Sequence, residues 1–183
     1  GFFHYGDGKM ENKNLTAVFP HLKPPARLSD LMELSEVTRV TMNPENTLMC
    51  VYLASQQWIA KEEIYRLEEG IEEQLFKNIK LKVKVIEKFR LSRQYSVENF
   101  YELYRPSILL ELERYNKVLD SLMRNAGISF LGPDTMRMVL PDSVIAKERG
   151  GQLEGILEKI FTQRCGLDFH LYTEYKDPAD KAE

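Results

Sequence analysis

The chain has 183 residues, 43% of them hydrophobic and 29% charged, with a net charge of −3. That balance suits one large or two small globular units with a real core, and it excludes a module that is basic overall, as dedicated nucleic-acid binders usually are. No apolar run reaches the roughly 20 residues of a membrane span, and Cys50 and Cys165 lack the spacing of a zinc ribbon or a disulfide framework.

The two cysteines read as reduced, buried thiols, which suits a cytoplasmic protein. Residues 1–35 form a poorly patterned entry, in which Gly1 reads as a scar of tag removal and Met10 as a candidate start. Pro20, Pro24 and Pro25 punctuate it, and Ser29 is placed to cap a short helix. A hairpin follows, Val37–Met42 and Thr47–Ala54, turning at Asn43-Pro44-Glu45-Asn46. From Trp58 to Phe76 the apolar residues Ile59, Ile64, Leu67, Ile71 and Leu75 recur at helical spacing. Strand alternation then sets Leu81, Val83 and Val85 on one side and Lys80, Lys82 and Lys84 on the other.

Ser96 caps a long helical stretch that Pro106 is expected to kink or divide and that ends at Asn125–Gly127. Short strands at 128–132 and 135–141, a helix from Ile145 to Arg164 broken at Gly150-Gly151, and a strand at 167–175 complete the chain. The order hairpin, helix, strand thus occurs twice. The two helices align: Ile59-Ala60-Lys61-Glu62 with Ile145-Ala146-Lys147-Glu148, and Leu67-Glu68 with Leu153-Glu154. The expected fold is α+β: two β-β-α-β units joined by a long kinked helix that packs on the second sheet. The boundaries are 1–35 for the entry, 36–93 and 94–176 for the two subdomains, and 177–183 for the start of a linker. The polar ending "YKDPADKAE" suggests that a longer parent chain continues.

Catalytic constellations are missing from the sequence. It has no GxSxG elbow, no HExxH, no EF-hand loop and no GxxxxGK[ST]. His4 and His21 lie in the entry, and His170 sits between Phe169 and Leu171, where a structural role is the simplest reading. Glu62, Glu63, Glu68, Glu69, Glu72 and Glu73 read as a solvated helix face, paired in part with Lys61, Arg66 and Lys77. Two features remain as contact candidates. The first is the stripe Lys80, Lys82, Lys84, Lys88, Arg90 and Arg93, which reads either as an edge-protecting strand or as a contact for phosphate or an acidic partner. The second is Lys147, Arg149, Gly150 and Gly151. Here the order and the frame of Val144, Ile145, Leu153 and Ile156 resemble a type II KH domain, a family that clamps single-stranded nucleic acid with a GxxG loop. The glycines are adjacent rather than spaced by two, with Ala146 near the first glycine position, so a backbone clamp is obstructed.

Colinear segments carry a wider resemblance: "VFPHLK" (18–23), "VTRVT" (37–41), "IYRLEEGIEEQLF" (64–76), "KVIEKFRLS" (84–92), "YRPSILLELERYN" (104–116) and "IAKERGGQLEGILEKIFTQRCG" (145–166). Over most of residues 15–176 the chain resembles the N-terminal region of PolC-type bacterial DNA polymerase III alpha subunits. That resemblance implies a truncated KH-like unit, similar to the polymerase-binding domain of the clamp-loader tau subunit, followed by a second KH-like unit. It implies a parent with DNA-directed DNA polymerase and 3′–5′ exonuclease activity, whose catalytic carboxylates, magnesium sites and candidate zinc sites lie in other domains. For this fragment it implies no catalytic residue, no metal and no cofactor. The expected role is docking of a replisome protein such as tau, with DNA reached through the parent and no membrane contact; the alternative is single-stranded nucleic-acid binding.

Overall fold

A computed structural model describes residues 9–22 and 32–177. The chain divides into two compact units, Gly1–Leu91 and Ser92–Glu183.

In the first unit β1 (Lys9–Asn14) and a one-turn helix α1 (Leu15–Val18) precede β2 (Ser35–Met42), β3 (Leu48–Ser55), α2 (Lys61–Leu75) and β4 (Lys82–Phe89). The sheet runs β1-β2-β3-β4, antiparallel except for the parallel pair β3–β4. A parallel neighbour needs a long crossover, and α2 supplies it. The turn between β2 and β3 is held by Asn43, whose Oδ1 accepts the N–H groups of Thr47 and Leu48, both at 2.8 Å. Asn46 takes the left-handed conformation, φ 58°, that its short polar side chain tolerates. A register shift between Val37 and Arg39 lets Val37 and Val40, three residues apart, both point into the core. Ile64, Leu67 and Ile71 of α2 are buried, as are Val83, Val85 and Phe89 of β4.

The entry is better built than its composition predicts. Asn14 caps α1 through Ala17 N–H, and Leu15, Val18, Phe19 and Leu22 are buried. The strand before it, KMENKN, carries no apolar alternation and gains its place by pairing with β2. The helix expected from Ser29 begins outside the described residues.

The second unit comprises α3 (Val97–Tyr115), α4 (Lys117–Asn125), β5 (Gly127–Gly132), β6 (Thr135–Pro141), α5 (Val144–Glu158), a π-helical turn (Lys159–Arg164) and β7 (His170–Lys176). Its sheet runs β5-β6-β7, antiparallel then parallel. Both units are therefore β-β-α-β, within an α+β fold. The long helix packs on its sheet: Tyr101 meets Phe130 of β5 edge-on, with ring centroids 5.8 Å apart.

Two expectations about this unit are corrected. Pro106 does not divide α3, which runs unbroken from Val97 to Tyr115. Residues 102 and 106 are exposed, so the carbonyl deprived of its N–H partner faces water. The division falls at Asn116, which ends α3 and caps α4 by accepting from Val118 N–H (2.9 Å) and Leu119 N–H (3.2 Å). Nor do Gly150 and Gly151 break the second helix; both lie inside α5.

Candidate functional site

On β4 the predicted alternation holds. Lys82, Lys84 and Lys88 project from the face opposite the core, with half-buried Ile86 between them. Register places Lys84 beside Cys50, Ile86 beside Tyr52, and Lys88 beside Ala54 on β3. Farther across the sheet, Arg39 of β2 lies over the Tyr52 ring at 5.1 Å. The open face of the first sheet is thus a row of cations bordering an aromatic and aliphatic middle. Cys50 is half-buried on this face, and only Cys165 of the two thiols is buried. Lys77 and Lys80 flank Ile79, which is 61% exposed, in a groove of about 800 Å³ at the end of α2. Arg90 follows β4, its N–H bonded to the Ser55 carbonyl at 2.8 Å. Among the described residues, Lys77, Lys80, Lys82, Lys84, Lys88 and Arg90 take no ion pair. Arg93, the last of the predicted stripe, is exposed and belongs to the second unit.

The edge of β4 is not protected by its lysines. Glu68 Oε2 accepts Val85 N–H and Glu72 Oε1 accepts Val83 N–H, each at 2.7 Å. Two carboxylates expected on a solvated face instead close the outer edge of the sheet. Burial pushes the Glu68 carboxyl above its ordinary range, opposed by the Val85 hydrogen bond and by Lys61, and reinforced by Glu87 and Glu72. Lys61 is likewise not a surface partner. Its ammonium is buried against Glu87, with contacts of 3.0 and 3.3 Å, and lies 5.2 Å from the Tyr65 ring centroid. Arg66 does pair on the helix surface, with Glu62 and Glu63.

The second cluster disperses. Lys147 is exposed and bound to Asp142 at 2.7 Å, and Arg149 reaches Gln152 at 3.3 Å. Gly150 is buried against the Tyr175 hydroxyl; a Cβ there would overlap that oxygen and lie 3.1 Å from Cζ. Gly151 faces open space. Because α5 is continuous, the N–H groups of both glycines point along the helix axis within the i→i−4 ladder, and no loop of exposed donors forms. His170 is exposed at the start of β7.

Sequence reasoning missed three exposed apolar side chains on this unit. Val144 and Ile145 are 72% and 59% exposed at the start of α5, and Tyr115 is 63% exposed at the end of α3. Ile145, Arg149 and Gln152 share one helix face, and Gln152 donates to the Tyr115 hydroxyl at 3.1 Å. Arg164 fixes the π-helical turn to α3, forking onto Glu111 at 2.7 and 3.1 Å and reaching the Tyr104 hydroxyl at 3.1 Å. In the sequence Val144 and Ile145 fit a KH-like frame as well as an exposed position, so periodicity does not separate the two.

Among the described residues there is no group of three or more potential metal ligands, and no helix is long and apolar enough to cross a membrane. A family model described as DNA polymerase III polC-type N-terminus I matches residues 14–85. No curated protein and no solved structure matches the chain.

Proposed function

We propose, from the match of residues 14–85 to the family model of the DNA polymerase III polC-type N-terminus I, that the chain is a non-catalytic docking module of a cytoplasmic replicative polymerase. Its partner in this reading is a replisome protein, the clamp-loader tau subunit first. The parent supplies DNA polymerase and exonuclease chemistry, and DNA contact, through other domains. The observation that carries the reading is the exposure of Val144, Ile145 and Tyr115 on two helices of the second unit, since exposed aromatic and aliphatic anchors on rigid elements are what protein interfaces use. Biolayer interferometry with purified tau tests it. Saturable binding that Ile145→Glu abolishes is expected; no binding by the unsubstituted chain would overturn the choice of tau.

A second reading, single-stranded nucleic-acid binding, is favoured by the unpaired cations of β4. Phosphate contacts strengthen as salt falls. Fluorescence anisotropy with labelled oligo-dT would then show salt-dependent binding that Lys82→Glu, Lys84→Glu and Lys88→Glu together remove, while Lys147→Glu leaves it intact. Absence of binding at low salt would eliminate this reading. A KH-type glycine clamp gains no support, because α5 is continuous through residues 150 and 151.

A further inference from the structure

The two units differ at the outer edge of their last strand. Each strand begins with an N–H donated inward, Lys82 to the Thr47 carbonyl at 2.9 Å and His170 to the Asp134 carbonyl at 2.8 Å. Alternation then turns outward the N–H groups of Val83 and Val85 in one sheet, and of Leu171 and Thr173 in the other. Register agrees: Val83 pairs with Met49 on β3, and Leu171 with Met136 on β6. In the first unit Glu72 and Glu68 occupy both outward donors. The helix alignment puts Glu154 and Glu158 at the same positions of α5. Among the described residues neither carboxylate takes a hydrogen bond or an ion pair. Instead they line a groove of about 310 Å³ whose other wall is Phe169, His170, Leu171 and Tyr172. Tyr172 is 59% exposed there. Thr173 Oγ1 is buried with no partner among the described residues.

We propose that the outer edge of β7 is a docking site for an extended, lysine- or arginine-bearing segment of a partner protein. The segment adds as a further strand. Its carbonyls accept from Leu171 and Thr173, while its basic side chains lie against Glu154 and Glu158. Main-chain bonding gives such sites their affinity, and alternate side chains give them specificity. The carboxylates select a cationic peptide and repel a phosphate backbone. Among the described residues a polar edge is left open in one unit and closed by the same two helical positions in the other, and this difference is selective, since exposed edges are ordinarily blocked.

The inference rests on the docking reading and adds to its exposed side chains a second contact, the β7 edge, with a partner chemistry. The test uses the whole chain with an N-acetylated (Lys-Val)4 peptide, followed by amide exchange in NMR. In the free chain the Leu171 and Thr173 amides are expected to exchange faster than those of Val83 and Val85. Saturating peptide slows them, and N-methylation of alternate peptide amides removes the effect. Replacing both Glu154 and Glu158 by Gln weakens binding by about tenfold or more, since a single lost charge-assisted bond already accounts for about tenfold. Protected Leu171 and Thr173 amides in the free chain would overturn the proposal. So would absence of peptide binding at low salt, or binding that perturbs residues away from β7. If tau is not retained while the peptide still binds β7, the choice of tau fails and the edge site stands.

Discussion

Gly150 and Gly151 are neighbours with opposite constraints. A methyl at 151 meets nothing, whereas one at 150 meets Tyr175. Gly151→Ala should therefore raise unfolding free energy by about 0.5–1 kcal/mol, the usual gain for removing glycine from a helix. Gly150→Ala should lower it, and adding Tyr175→Phe should restore much of the loss; urea denaturation of the single and double variants measures both. A second residue-scale expectation concerns the fork between Arg137 and Glu174, two bonds of 2.8 Å. The Arg137 bond, aided by Lys176, holds the Glu174 carboxyl at about 2 against its ordinary value of 4.5. A depressed folded value means that the stabilisation is present above the unfolded value and is lost as pH falls through about 2. Carboxyl-detected NMR should show Glu174 titrating higher in Arg137→Gln, and an unchanged midpoint would refute this account.

At the scale of elements, the paired helix and strand of the first unit depend on Glu68 and Glu72. Glu68→Ala or Glu72→Ala leaves an outward N–H of β4 without its protein partner and should cost on the order of 1 kcal/mol, read from the midpoint of chemical denaturation. Glu68→Gln keeps an acceptor and loses only the charge. Because burial raises the folded carboxyl's pKa, the native state holds that proton more tightly, and stability declines as pH rises from the unfolded value through the folded one. Glu68→Gln should flatten that decline. Periodicity alone could not assign these two residues, because a glutamate that closes a sheet edge and one that faces water share the same helical spacing. By contrast, the alternating Lys82–Val83–Lys84–Val85 pattern and the Ile64, Leu67, Ile71 stripe did locate β4 and α2, since a single buried face dictates each of them. The break at Asn116 was hidden because Pro106 carries the stronger breaking signal in the sequence, yet it lies with residue 102 on the exposed side of α3, where the freed carbonyl faces solvent and the helix continues.

For the whole molecule, the repeated β-β-α-β order was legible because its hydrophobic periods switch between two and 3.6 at each boundary. The exposure of Val144, Ile145 and Tyr115, and the edge of β7 left open among the described residues, were not, because both depend on which neighbours fail to cover them. Each unit has its own core, Val83, Val85 and Ile64 in the first, Leu153, Met138 and Phe161 in the second. They join through an irregular stretch between β4 and α3, where Arg90 and Arg93 are exposed. Brief trypsin treatment of the native chain should cut there and leave an α3-to-β7 fragment that retains circular dichroism; rapid loss of both halves would contradict two self-contained units.

The contact between residues 150 and 175 also constrains inheritance. A lineage that enlarges the first position must shorten or redirect the second in the same period, so the two sites should change together across descendants. The glycine that resembles part of a KH loop would then be recorded as one half of a co-evolving pair.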